Sequence, residues 1–303
     1  MKNARFLWLM IPALGLLELL AHGYFRSAAP RDSDWDALVT PLRELRKNRE
    51  LVVVAPGWAE PHARRVFGDA EMPLRDVARP DESGYARAVE ISLLGDRALP
   101  SWAVLAEKDH GLFTLRVLEN PSYEQVHLDF IDHFSAEAAA AFTGSERDPR
   151  PCTFNLNAQV SNGAVRGHPT FPKERFECGG DAQFVGITVI EDERYRPRRC
   201  LWANPARGQA TTLRFKQVTL HERIHGFGGV SFFDERDGEG GSVQLEARVG
   251  DHLVGKYQHL PGEGWTGFEF NTSTYKGQQH DVEFRTSAVK GRPRGFCFQA
   301  DLR

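Results

Sequence analysis

The sequence Val243-Gln-Leu245-Glu-Ala247-Arg-Val249 alternates apolar and polar residues without interruption. Successive side chains of a β-strand point to opposite faces, so this alternation predicts a strand with one buried and one solvent-facing side. The same pattern recurs in Val282-Glu-Phe284-Arg, and turn clusters such as residues 261–264 separate such runs. The sequence around these two runs therefore predicts a β-sheet protein.

The region from Cys152 onward repeats this texture at short intervals. It holds 20 of the chain's 28 glycines, which mark turns between the runs. Strands are predicted at residues 184–190, 212–218, 229–233, 243–249, 265–270, 282–286 and 296–302. Seven or more strands in about 150 residues are typical of a β-sandwich, and we predict a jelly-roll-like all-β sandwich over residues 152–303.

The N-terminal part combines helical and strand patterns. Apolar residues at helical spacing over residues 35–45 predict one amphipathic helix, and the β-branched run 51–54 predicts a buried strand. Further elements are predicted as a helix from about Trp58, strands at 102–108, 111–119 and 123–130, and a short helix at 135–142. The polar stretch 143–151 is predicted to link two domains. We therefore predict an α+β multi-domain chain with a small α/β module over residues 33–142.

The first 25 residues form an N-terminal hydrophobic helix in this prediction. Basic residues precede the apolar run 6–21, which is the order found in export signals. The run contains Pro12 and Glu18 and is shorter than the roughly 20 residues that span a bilayer. Small residues follow it, so a cleaved signal peptide and a membrane anchor both remain open. Either alternative places the rest of the chain outside the cytoplasm, in the periplasm or at the cell surface.

The cysteines agree with an exported protein, because an even number of cysteines in such a chain indicates disulfides. Four cysteines allow three pairings. We expect Cys152 to pair with Cys178 across a local loop, and Cys200 to pair with Cys297 across the ends of one domain. No two cysteines have the C-x-x-C spacing of a zinc site.

The charge balance argues against a nucleic-acid partner. The chain has 38 Lys and Arg against 41 Asp and Glu, with a formal net charge of -3, so it lacks the positive field that nucleic-acid binders need. The sequence also lacks a glycine-rich phosphate loop and a G-x-S-x-G nucleophile motif. We therefore predict no cofactor and no catalytic residue.

One motif suggests an enzyme instead. His221, Glu222 and His225 match H-E-x-x-H, in which two histidines one helical turn apart bind zinc and the glutamate acts as general base. The motif needs a helix to bring the histidines together. A strand pattern precedes it and glycines follow it at once, which favours a strand and loop. A zinc-dependent hydrolase is thus kept as the alternative function.

A ligand site is predicted in an aromatic and polar loop of the β-domain. Tyr257, His259, Glu263 and Trp265 surround the turn 261–264, and loops of this composition stack on sugar rings. We predict that these four residues bind a ligand.

Two segments resemble known families. The stretch 35–119, with DWDALVTPLREL, LVVVAP and GLFTLRVLENP, resembles the soluble extracytoplasmic tail of membrane glycosyltransferases related to the protein mannosyltransferases. The segment from Cys200-Leu-Trp202 to Phe296-Cys-Phe-Gln-Ala-Asp301 resembles a galactose-binding-like jelly roll. These resemblances imply the cell envelope and glycan handling, and they carry over no catalytic residue.

Together these patterns predict a non-catalytic protein of the cell envelope. Its predicted partners are the membrane, through the N-terminal helix, and a glycan or an envelope protein, through the sandwich. An accessory role in cell-surface glycan assembly follows from the resemblance of the N-terminal module.

Overall fold

The computed structural model describes residues 4–28, 30–47, 50–145, 147–158, 171–179, 183–205, 208–237, 240–289 and 295–303. The chain divides into two compact units. The first contains Met1–Met72 and Arg87–Pro121, and the second contains Pro73–Ala86 and Ser122–Arg303.

The first unit has four helices and a four-stranded sheet. Its helices are α1 (Ala4–Ala28), α2 (Asp32–Asp36), α3 (Val39–Leu45) and α4 (Glu60–Glu71), and a 3-10 turn covers Gly57–Ala59. Its strands are β1 (Leu51–Ala55), β2 (Arg87–Leu93), β3 (Ala103–His110) and β4 (Phe113–Glu119). They follow the order β1-β2-β4-β3, with β1 parallel to β2 and the other pairs antiparallel. The first unit thus combines helices with a mixed four-stranded sheet.

The predicted single helix over 35–45 is two short helices. Pro41 lies in the first turn of α3 and has no backbone N–H to bond the carbonyl of Ala37, so a continuous helix is interrupted there. Trp35 of α2 is buried and packs edge-on against Phe113 of β4, with ring centroids 4.5 Å apart. The predicted buried strand is correct, because every residue of β1 is buried.

A helix forms over most of the predicted N-terminal hydrophobic segment, as α1 with Pro12 inside it. Among the residues that the structure describes, no helix combines the length and the apolar character that crossing a membrane requires. The signal peptide or membrane anchor over residues 1–25 stays a prediction.

The second unit is a β-sandwich with two short helices, α5 (Leu74–Val77) and α6 (Phe232–Asp237), and a 3-10 turn at Ser273–Tyr275. Its strands are β5 (Leu128–Asp129), β6 (Ala139–Ser145), β7 (Asp148–Pro151), β8 (Thr153–Asn155), β9 (Arg175–Glu177), β10 (Phe184–Glu191), β11 (Pro197–Ala203), β12 (Ala210–Thr219), β13 (Arg223–Val230), β14 (Val243–Val249), β15 (His252–His259), β16 (Thr266–Asn271), β17 (Gln279–Ala288) and β18 (Phe296–Leu302).

These strands form two sheets. One has the order β16-β13-β18-β11-β10-β9-β8, with β5 added beside β18, and the other has the order β15-β14-β17-β12-β6-β7. Their inner faces share one hydrophobic core. Phe284 of β17 lies 5.1 Å from Phe298 of β18 between ring centroids, and each ring is fully buried. Burial of such a ring stabilises the fold by about 1.5–3 kcal/mol, so the core is the main source of cohesion in this unit.

The alternation that predicts the sandwich is observed directly. In β14, Val243, Leu245, Ala247 and Val249 are buried while the residues between them are partly exposed. The predicted strands near 184, 212, 243, 265, 282 and 296 are all present. The run predicted at 229–233 is displaced, because β13 ends at Val230 and α6 starts at Phe232.

The predicted helix at 135–142 and the predicted linker at 143–151 are wrong. Residues Ala139–Ser145 form β6, which pairs with β12 from Ala139↔Phe215 to Gly144↔Ala210. Ladder hydrogen bonds and burial outweigh the intrinsic helical preference of the alanines. Residues Asp148–Pro151 form β7, which turns back onto β6 as a hairpin.

The bounds predicted for the two modules need a matching correction. Residues 122–142 belong to the sandwich unit, since they include β5 and part of β6. Residues 73–86 belong to it as well, because Arg198 of β11 donates hydrogen bonds to the carbonyls of Arg79 and Pro80. The sandwich therefore takes a helical segment from the middle of the predicted α/β module.

Candidate functional site

The zinc motif lies in a strand and the loop before it. Arg223–Val230 is β13, and His221 precedes that strand. Four residues of extended chain span about 13 Å, so His221 and His225 do not share a helix face as the zinc motif requires. Among the described residues, no group of three or more His, Cys, Asp or Glu side chains is arranged to hold a metal ion.

Each motif residue has a different neighbour. His221 stacks on His127 with centroids 3.6 Å apart, and burial together with the His127 ring lowers the pKa of His221. Glu222 accepts a bond of 2.5 Å from Lys276, which lowers the pKa of Glu222. His225 lies 3.5 Å from a carboxylate oxygen of Asp301. The motif residues therefore belong to three separate contacts.

Two of the predicted ligand-binding residues point into the sandwich. His259 is fully buried, and its Nε2 lies 2.9 Å from the carbonyl of Gly264. The hydroxyl of Tyr257 donates to the carbonyl of Gly228 over 3.0 Å, and burial raises the pKa of Tyr257 to about 12. Both side chains thus hold the end of β15 against its neighbours.

The other two predicted residues lie around the turn. Glu263 accepts a hydrogen bond of 3.0 Å from the backbone N–H of Leu260 and is exposed. Trp265 is half-buried, and a side chain added at Gly229 would meet its indole at 2.7 Å. The structure brings the four residues into one region but turns Tyr257 and His259 away from solvent. Their role in ligand binding stays a prediction.

The predicted disulfide pairing is confirmed. Cys152 is bonded to Cys178 and Cys200 to Cys297, and the described part of the chain leaves no cysteine free. The first bond joins the segment after β7 to the residue after β9, and the second joins β11 to β18 inside a small aromatic cluster.

A groove lies on the outward face of the six-stranded sheet, away from the core. Its volume is about 400 Å³. We call it the arginine groove, and it is lined by Phe142, Thr143, Gly144, Ser145, Pro149, Thr212, Arg214, Arg248, Glu283 and Arg285. These residues come from β6, β7, β12, β14 and β17, or lie next to them. The groove is thus built mainly from paired strands and their hairpin.

Charges alternate across the floor of this groove. Glu283 of β17 is opposite Arg214 of β12 on one side and Arg248 of β14 on the other. Arg214 donates from Nε to Glu283 Oε1 over 2.5 Å. In the next row, Arg285 is opposite Thr212 and Glu246. Opposite charges on neighbouring strands attract, so Glu283 holds the guanidinium groups of its two neighbouring strands near each other.

An aromatic ring lies beside these charges. The guanidinium carbon of Arg214 is 5.1 Å from the centroid of the Phe142 ring, within the distance of a cation–π contact. Phe142 is opposite Thr212 in β12 and Pro151 in β7. The groove therefore offers an apolar ring, hydroxyl groups, a carboxylate and guanidinium donors within one surface.

The β6–β7 hairpin forms one wall of the groove and depends on a glycine. Gly144 has φ +118°, and a Cβ at this position would lie 2.5 Å from the carbonyl oxygen of Asp148. Only glycine combines this backbone conformation with this close approach. Gly144, Ser145 and Pro149 at the hairpin end are themselves lining residues.

The alternating pattern of the strands also marks four residues of the groove, which the predicted ligand site does not include. Arg214, Arg248, Glu283 and Arg285 occupy the polar positions of the same strands whose apolar positions predict the core. Their period of two places them on the outward face. No such pattern marks Phe142 as a groove residue, because the alanines that precede it in β6 do not alternate with polar residues.

No family model matches the chain, and no curated protein matches it significantly. Solved structures similar to it include carbohydrate-binding modules.

One is the structure of CBM51-2, in complex with GlcNAc, and INT domains from Clostridium perfringens ZmpB, with 6% identity and a TM-score of 0.29 over 59% of this chain and 40% of that chain. Another is CBM28, a module specific for non-crystalline cellulose, with 12% identity and a TM-score of 0.28 over 39% of this chain and 79% of that chain. The secreted serine protease VesC from Vibrio cholerae aligns with 10% identity and a TM-score of 0.22 over 67% of this chain and 56% of that chain.

These scores are too low to establish a shared fold, and the chain spans less than half of the first structure. The resemblance of residues 35–119 to the mannosyltransferase tail stays a prediction.

Proposed function

We propose that this protein binds a glycan in the arginine groove and that it acts outside the cytoplasm as a binding protein. The observation that carries the proposal is the groove of about 400 Å³ on the outward face of the sandwich, which is lined by three arginines and has an aromatic ring beside one of them, Arg214. Binding sites for small ligands are commonly of this size.

The groups of the groove match the chemistry of a sugar. Each sugar hydroxyl is both a donor and an acceptor, so a glycan site needs both kinds of partner. Guanidinium groups donate, the Glu283 carboxylate accepts, and the hydroxyl of Thr212 does both. The apolar face of a sugar ring can pack on Phe142.

The groove is also held in place before any ligand arrives. Most of its side chains extend from paired strands of one sheet, and the Arg214–Glu283 pair orients two of them. Sites on regular elements keep their geometry better than sites on loops. Such preorganisation lowers the conformational entropy that the side chains of the groove lose when a glycan binds.

The disulfides support an extracytoplasmic location. Two cross-links persist in an oxidising compartment and are rare in the cytosol. The proposed place is the periplasm or the cell surface, reached through the N-terminal segment. Protease accessibility in intact cells and spheroplasts tests this location, and digestion only after cell lysis would contradict it.

A glycan panel tests the binding function. The full chain is titrated against immobilised plant, bacterial and animal oligosaccharides, and hits are measured by calorimetry. Phe142→Ala is expected to weaken binding of every hit at least tenfold, because it removes the apolar contact. Melting temperature and near-ultraviolet circular dichroism confirm that the variant is folded.

Trp265→Ala tests the alternative site at the turn 261–264, since Trp265 is a half-buried aromatic residue of the same sandwich outside the groove. Binding in the groove predicts that this variant binds as wild type does. Loss of binding in Trp265→Ala with retention in Phe142→Ala would move the site to the turn at 261–264. Absence of any glycan hit, with capture of an envelope protein that Phe142→Ala abolishes, would replace glycan binding with protein binding.

A further inference from the structure

We propose that the glycan bound in the arginine groove is acidic, with a carboxylate on at least one sugar. This inference rests on the proposed glycan-binding function and names the class of ligand for the same groove. It is supported by the charges on the outward face of the six-stranded sheet and by the missing backbone N–H groups of the adjacent edge strand.

The arginine groove carries a net positive charge. The groove is lined by Arg214, Arg248 and Arg285 against one carboxylate, Glu283. Beside it, Glu246 lies opposite Arg285 and 2.7 Å from Lys256. With Glu246 and Lys256 counted, four positive and two negative groups leave a net positive surface on a chain whose formal charge is negative. A neutral glycan gives no reason for this local excess.

The guanidinium group of Arg214 can also bind a carboxylate. The bond to Glu283 occupies Nε of Arg214, and a guanidinium carries five N–H donors in a planar fork. A carboxylate is recognised by two parallel bonds from such a fork. Arg214 and Glu283 are 42% and 20% exposed at their side chains, so an incoming carboxylate can reach this pair from solvent.

Arg214 and Phe142 together suit a sugar that carries an acid group. Because Arg214 lies against the Phe142 ring, one sugar can pack on the aromatic face while its carboxylate meets the guanidinium. A uronic acid has this combination of an apolar ring face and an equatorial acid group. A free inorganic anion would use the charges but not the ring.

The adjacent sheet edge disfavours an acidic peptide. An extended peptide adds to a sheet edge through backbone hydrogen bonds. The edge strand beside the groove is β7, Asp148–Pro151, where Pro149 and Pro151 have no N–H to offer. The groove itself lies on the face of the sheet, where the backbone groups are already paired between strands.

The test compares each acidic oligosaccharide with its neutral form. Oligogalacturonate and its methyl ester, and glucuronate-, sialate- and sulfate-bearing oligosaccharides with their esterified, reduced or desulfated counterparts, are titrated against the full chain at physiological salt. We expect at least one carboxylate-bearing member to bind tenfold or more tightly than its neutral form.

Variants of Arg285 assign that preference to the groove. Arg285→Gln is expected to reduce the ratio of the two affinities, acid form over neutral form, at least fivefold. Arg285→Lys, which keeps the charge but loses the fork, should keep part of the preference. Arg150→Gln is the matched control, because Arg150 is an exposed arginine of β7 that does not line the groove.

Each outcome decides one of the two proposals. Equal binding of acidic and neutral forms, reduced by Phe142→Ala, overturns the acidic ligand and keeps glycan binding. If only sulfated oligosaccharides bind more tightly than their neutral forms, the carboxylate is overturned as the recognised group. Equal binding of poly-glutamate with the same loss in Arg285→Gln overturns the glycan class. No binding by any oligosaccharide contradicts the proposed function itself.

Discussion

Nε of Arg214 lies 2.5 Å from Oε1 of Glu283, on the two central strands of the six-stranded sheet. This pair has two effects on the arginine groove. It holds the guanidinium beside the Phe142 ring, and it cancels one of the three positive charges that line the arginine groove. The pair therefore limits how strongly the groove attracts an anion.

Replacing the carboxylate tests this relationship. Glu283→Gln is expected to strengthen binding of an acidic oligosaccharide about threefold to tenfold relative to its neutral form, because the amide removes a negative charge and keeps an oxygen that accepts from a sugar hydroxyl. Because the pair is partly exposed, the free energy of unfolding should fall by no more than about 1 kcal/mol. Calorimetry and urea denaturation measure the two effects. An unchanged or smaller ratio of acid to neutral affinity in this variant would contradict the role of the groove's charge.

The β6–β7 hairpin should be sensitive to a single methyl group. Gly144→Ala places a Cβ against the carbonyl of Asp148 in a backbone conformation that L-residues rarely adopt, so we expect a loss of about 2–3 kcal/mol in the free energy of unfolding. Gly250→Ala is the control. Gly250 also has a positive φ, +54°, but open space around it, so about 1 kcal/mol is expected. Equal losses in the two variants would remove the steric argument.

The two disulfides should contribute unequally to stability. They close loops with sequence separations of 26 for Cys152–Cys178 and 97 for Cys200–Cys297. In the chain-entropy model these loops correspond to about 3.5 and about 4.7 kcal/mol. Urea denaturation of the double Cys→Ala variants should show the larger loss for the second pair. A larger loss for the first pair would show that strain or residual structure dominates.

The pH dependence of stability should contain a contribution from Asp129. Burial, with the nearby charge of Asp132, raises the pKa of Asp129 from 3.8 to about 6 in the folded chain. The folded state therefore holds a proton between pH 3.8 and about 6 that the unfolded state has lost, so stability falls as the pH rises through this window.

The variant Asp129→Asn removes this loss and keeps an oxygen to accept the bond from the N–H of Ile131. Its free energy of unfolding relative to wild type should rise between pH 4 and pH 7 by at most about 3 kcal/mol. Asp251→Asn, at an exposed turn, is the control and should follow wild type. A parallel pH profile for Asp129→Asn and wild type would contradict the raised pKa.

The zinc hydrolase alternative predicts a different result from the strand geometry. With His221 before β13 and His225 within it, zinc titration of the full chain should show no stoichiometric site that depends on His225. Elemental analysis of wild type and His225→Ala checks this. One zinc per chain that disappears in His225→Ala would require a helix where the structure has a strand.

The sequence by itself determined the sandwich strands and the faces of their side chains. The alternation in Val243–Val249 and in Val282–Phe284 is local, and a period of two assigns inside and outside without knowledge of the partner strand. The cysteine pairing was also within reach, because only three pairings exist for four cysteines.

The tertiary structure alone decided which outward residues meet. Phe142 reaches the groove because β6 pairs with β12, although its alanine-rich surroundings prefer a helix in isolation. Arg214, Arg248 and Arg285 converge because β12, β17 and β14 are neighbours in a fixed register. Tyr257 and His259 turn inward for the same reason, since β15 pairs with β14. Strand order and register are set by long-range hydrogen bonding and core packing, which no local pattern contains.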